Sequence, residues 1–155
     1  MDTYWEEPAR SDRFGAGLMA DTVTHPIFLV VDFQRESRFL LVKTLTRKFP
    51  GAVIRECEDA AQAVQMARTQ DVACVITHRT FDTPGAELVR AIRDVDPDVP
   101  IVMVSGIDRA QAALDAGATS FLNYDEWLRI GTIAEGHMRD RDAAEDDEPE
   151  SNCVA

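Results

Sequence analysis

The sequence predicts an α/β domain in which a parallel sheet is covered by helices on both faces. Short runs that are apolar throughout alternate with longer segments whose apolar residues recur at helical spacing. The runs lack the in–out alternation of a half-exposed strand, which is the pattern of strands buried on both sides. With 155 residues the chain has room for one such domain and its tails.

The elements follow in order. Ile27 to Val31 reads as the first strand, and Phe39, Val42, Leu45 and Phe49 recur as the inward face of a helix that Pro50-Gly51 ends. Ala52 to Cys57 reads as the second strand, followed by a helix with Ala60, Ala63, Val64 and Ala67 on one face. Val72 to Thr77 is the third strand, and Leu88, Ala91, Ile92 and Val95 mark a helix that stops before Pro97. Ile101 to Val104 and Ser120 to Leu122 complete five strands, separated by a short helix around Arg109 to Ala116. Trp127, Ile130, Ile133 and His137 lie on the last helix.

Outside that pattern, residues 1–24 mix Pro8, Ser11, Gly15, Gly17 and charges without period and read as a flexible extension. Residues 25–139 form the expected domain. Residues 140–155 begin with a run rich in Asp and Glu against Arg141 and read as an acidic, disordered tail. The stretch Gly15 to Ala20 imitates a dinucleotide fingerprint, but it precedes the first strand and so has no strand-to-helix turn to hold a pyrophosphate.

A net charge of −12 repels nucleic acid and anionic lipid, so no nucleic acid and no membrane partner is expected. No signal-like start or apolar run of membrane length is present, and a cytoplasmic location is expected. Cys57 and Cys74 read as core thiols and Cys153 as a tail thiol, without the spacing of a zinc site.

In open parallel sheets the functional crevice lies beyond the carboxyl ends of the strands. That rule selects Asp32, Phe33, Thr77, His78, Ser105, Gly106, Tyr124 and Asp125. Asp32, His78 and Ser105 offer an acid, a base and a hydroxyl, but Met103 stands where a nucleophile elbow needs glycine, so hydrolase chemistry is set aside.

The stretches VVDFQRESRFLL, VACVITHRTFDTPGAELVRAIR, VPIVMVSG and DAGATSFLNYDEW resemble the strand ends of the receiver domains of bacterial response regulators, over about Pro26 to Met138. The resemblance implies the flavodoxin-like strand order 2-1-3-4-5 with about five flanking helices. It also implies a site of two carboxylates after the first strand, a phosphoacceptor aspartate ending the third, a hydroxyl on the fourth and a lysine on the fifth, around magnesium. Asp32 matches the first carboxylate and Phe33 replaces the second. Thr77, eight residues before Gly85, stands at the acceptor position; Ser105 keeps the hydroxyl, and Tyr124 replaces the lysine. Phe121 matches the family's aromatic switch. The fourth helix should be short, because the segment between Ser105 and Gly117 lacks about one helical turn.

The resemblance therefore implies a stand-alone pseudo-receiver without catalytic residues or a cofactor, acting on a protein partner: a sensor kinase, a regulator or a second copy. Phe121, Tyr124 and Trp127 are its expected switch and interface residues. Two alternatives differ in chemistry. One is a phosphorelay receiver with an atypical acceptor, in which weak magnesium binding at Asp32 is helped by His78 or Asp82; the other is a small-ligand binder whose vacated crevice is lined by Phe33 and Tyr124.

Overall fold

The computed structural model describes residues 25–80 and 83–147. Its elements are β1 (Ile27–Val31), α1 (Arg35–Lys48), β2 (Val53–Cys57), α2 (Ala60–Thr69), β3 (Cys74–Thr77), α3 (Gly85–Val95), β4 (Ile101–Ser105), α4 (Ala110–Ala116), β5 (Ser120–Asn123) and α5 (Ile130–Asp147). A 3-10 turn over Tyr124–Arg129 joins β5 to α5. All strand pairs are parallel and the order is β2-β1-β3-β4-β5, as the sequence implied.

The sheet separates two cores because successive side chains on a strand point to opposite faces. Leu29, Val31, Val75, Ile101 and Met103 pack with Leu88, Val89 and Ile92 of α3 and the small residues of α2 and α4. Phe28, Val30, Cys74, Ile76, Val102 and Val104 pack with Leu41 and Leu45 of α1 and Ile130 and Ala134 of α5. Cys57 and Cys74 are buried free thiols within these layers, as expected.

Three expectations need correction. The inward face of α1 is set by Ser37, Leu41, Thr44 and Leu45, whereas Phe39 is 59% exposed. Apolar residues cover a wide arc of this helix, and two small hydroxyl residues take core places that the apolar count assigned elsewhere. Trp127 lies in the 3-10 turn ahead of α5, half-buried against the α1 and α5 core. The last helix runs on to Asp147, so the tail expected from residue 140 starts inside it. Arg141 holds that extension, with its guanidinium pairing to Glu145 one turn on at 3.3 Å and donating to the Val72 carbonyl at 3.4 Å. The expected N-terminal extension, Asp82, the fingerprint-like stretch and Cys153 lie outside the described residues.

Candidate functional site

Asp32 follows β1 on the face of Phe28 and Val30 and is fully buried. Both carboxylate oxygens are engaged. Oδ1 accepts the backbone N–H of Gln34 at 2.9 Å, an Asx-type turn that leads the chain into α1. Oδ2 accepts the hydroxyl of Ser37, from the first turn of α1, and lies 2.9 Å from Nδ1 of His78.

The sheet register places His78 there. Val31 pairs with Thr77, and the N–H of His78 donates to the Val31 carbonyl at 2.8 Å, so the next residues, Asp32 and His78, stand side by side. Tyr124 covers the imidazole, its ring stacked on His78 with centroids 4.7 Å apart and planes 7° apart. Burial pushes the Tyr124 phenol above its ordinary pKa, and the Asp32 carboxylate adds to that rise while Arg79 opposes it.

Thr77 belongs to the opposite face of β3. It is buried, and among the described residues its hydroxyl has no hydrogen-bond partner. The backbone N–H of Phe33 donates to the Arg79 carbonyl at 2.9 Å, and the Arg79 guanidinium lies 6.0 Å from the Phe33 ring centroid and also meets Gln34. Ser105 Oγ accepts the N–H of Ile107 at 3.1 Å, closing the turn after β4. The hydroxyl beside the acid–imidazole pair is that of Ser37, and it donates to the carboxylate. It is not activated by the base.

Beyond the stacked rings opens a crevice of about 570 Å³, lined by residues that include His78, Arg79, Met103, Ser105, Arg109 and Tyr124. Phe33 is not among its lining residues, so the expected wall of Phe33 and Tyr124 is made instead by Tyr124 with Met103 and Ile107. The structure thus brings Asp32 against His78 and His78 against Tyr124, and sets Ser105 on the crevice that His78 and Tyr124 line. Phe121 packs toward the α3 and α4 core while Tyr124 and Trp127 pack toward the α1 and α5 core, so these three are divided between the two sides of the edge strand. Sequence reasoning missed Ser37, Arg79 and Arg109. Ser37, five residues after Asp32 at a helix start, was the one with a readable signal.

The family model of the response regulator receiver domain matches residues 28–125, and the chain belongs to that family. Solved structures agree on the fold. A CheY-like receiver from Methanospirillum hungatei JF-1 aligns with TM-score 0.62 at 17% identity, covering 76% of this chain and 99% of that one. The receiver domain of an HD domain-containing protein from Pseudomonas fluorescens Pf-5 aligns with TM-score 0.67 at 19% identity, covering 84% and 99%. A Burkholderia pseudomallei response regulator, solved with a phosphorylated aspartic acid, calcium ion and citrate, aligns with TM-score 0.59 at 20% identity, covering 77% and 74%. No curated protein matches the sequence. Receiver domains are signalling modules of two-component systems that interact with protein partners.

Proposed function

We propose that this receiver signals through protein contacts without phosphorylation of an aspartate and without a divalent cation. The observation that carries the reading is the buried Ser37–Asp32–His78 knot under Tyr124. A magnesium site needs carboxylate oxygens free to enter an octahedral shell. Asp32 is fully buried with both oxygens hydrogen-bonded, and the neighbouring position is Phe33. These residues do not fit the cation. Thr77 offers a hydroxyl in place of the acceptor carboxylate, on the face of the sheet away from the only described acid and base of the site.

Exposed apolar side chains favour a protein partner. Ile107 is 63% and Leu114 48% exposed around α4, and the half-buried Phe121 lies on the adjoining strand. The partner is a kinase, a regulator or a second copy, with the α4, β5 and α5 face as its docking surface. The test is mass spectrometry of the whole chain after incubation with acetyl phosphate and magnesium. An unchanged mass is expected. A magnesium-dependent mass gain that disappears in Asp32→Ala or Asp82→Ala would assign the atypical phosphorelay reading instead.

A further inference from the structure

In the family's pattern the crevice beyond the sheet is acidic and takes a cation. Here the described lining is cationic. Among the described residues no aspartate or glutamate lines the crevice of about 570 Å³, although the chain has 28 of them and a net charge of −12. Arg79 and Arg109 line it from the loops after β3 and before α4, and among the described residues neither is paired with a carboxylate. His78, itself 6% exposed, and Ser105 add polar groups from the sheet edge. Tyr124 and Met103 give one wall an apolar, partly aromatic character. Asp32 does not line the crevice; its charge is turned inward on Ser37 and His78.

Guanidinium groups without a carboxylate partner, beside a hydroxyl donor, bind oxyanions, because the planar fork of arginine matches carboxylate and phosphate oxygens. The volume is that of a small-molecule site. From the juxtaposition of Arg79, Arg109, His78 and Ser105 around this crevice we infer that it is a metal-free site for a small oxyanion carrying an apolar or aromatic body, a phosphomonoester or a carboxylate. The arginines hold the anion, and Tyr124 and Met103 receive the body.

The test is an amide NMR titration of the full chain, without metal ion, using inorganic phosphate, phenyl phosphate and benzoate. Saturable shifts centred on His78, Ser105 and Gly106 are expected with phenyl phosphate or benzoate, and weaker binding with inorganic phosphate, which has no apolar body. The stronger of the two aromatic probes identifies the anion as phosphate or carboxylate. Arg79→Ala with Arg109→Ala should weaken that binding by about tenfold. Arg68→Ala, which removes an exposed charge on α2 away from the crevice, should change it by less than about twofold. The absence of saturable shifts with any probe, wild-type affinity in the double variant, equal weakening by Arg68→Ala, or binding only after magnesium is added would overturn the inference. Failure to bind leaves the phosphorylation-independent reading intact, whereas a magnesium requirement would contradict both.

Discussion

At the level of single residues, the site is organised by a buried carboxylate and its two side-chain partners. His78→Ala leaves the Asp32 carboxylate without one of them in a place water does not reach, and chemical denaturation should register a loss of about 3 kcal/mol. Asp32→Ala with His78→Ala should cost clearly less than the two single changes added together, since each single change already breaks the shared Asp32–His78 contact. A strictly additive result would mean that the pair is not coupled. Thr77 is the opposite case, a buried hydroxyl that earns no hydrogen bond among the described residues. Thr77→Val keeps the branched shape, so it should be neutral or stabilise by about 1 kcal/mol, and a loss of that size would mean the hydroxyl is bonded.

Two buried thiols set the alkaline behaviour. Burial pushes Cys74 from 9.0 to about 12, and burial followed by the charge of Asp59 does the same to Cys57. A thiol whose folded pKa lies above its unfolded value holds its proton longer in the native state, so the unfolded state binds fewer protons as pH rises. Stability is therefore complete below pH 9 and declines between about 9 and about 12. Tyr124 contributes with the same sign at the upper end of that window. Cys57→Ala with Cys74→Ala should flatten the decline in denaturation midpoints measured across it, and an unaltered slope would place the cause elsewhere.

Among the elements, α4 depends on a clasp formed by Arg93 of α3. Its guanidinium donates to the carbonyls of Gly117 at 2.9 Å and Val99 at 2.5 Å and to Thr119 Oγ1 at 3.2 Å, tying α3 to both ends of the α4–β5 connection. Gly117 ends α4 at φ 112°, and a Cβ there would stand 3.0 Å from Arg93 Cγ. Gly117→Ala should thus cost about 1–3 kcal/mol through strain at positive φ, and Arg93→Ala about 2 kcal/mol through lost bonds, both read by thermal melting. Little change in either would show that the seven-residue α4 is held by its apolar face alone.

The strands and the short α4 were legible because a strand buried on both faces announces itself as an apolar run and because chain length limits a helix. The face of α1 was not, since Ser37 and Thr44 occupy core positions and Phe39 turns outward. Asp32, His78, Ser105 and Tyr124 were legible as candidates from the topology of parallel sheets. Their grouping was not. The partnership of Asp32 with His78 joins residues 46 apart and depends on the β1–β3 register, and the cationic lining by Arg79 and Arg109 depends on where two loops fold.

For the whole molecule, the described residues of this acidic chain put no carboxylate on the crevice, join Asp32, His78 and Tyr124 in a carboxylate–imidazole–phenol stack, and leave apolar side chains exposed around a short α4. Together these support the proposal of a receiver fold that signals without a covalent phosphoryl group. The most direct measurement is an amide NMR titration of the full chain with magnesium, followed by beryllofluoride in the presence and absence of that magnesium, observing Asp32, Thr77 and Ser105. The account predicts no shift on adding magnesium and no magnesium-dependent response to beryllofluoride; saturable, magnesium-dependent shifts at those residues would show a working phosphorylation site and contradict it.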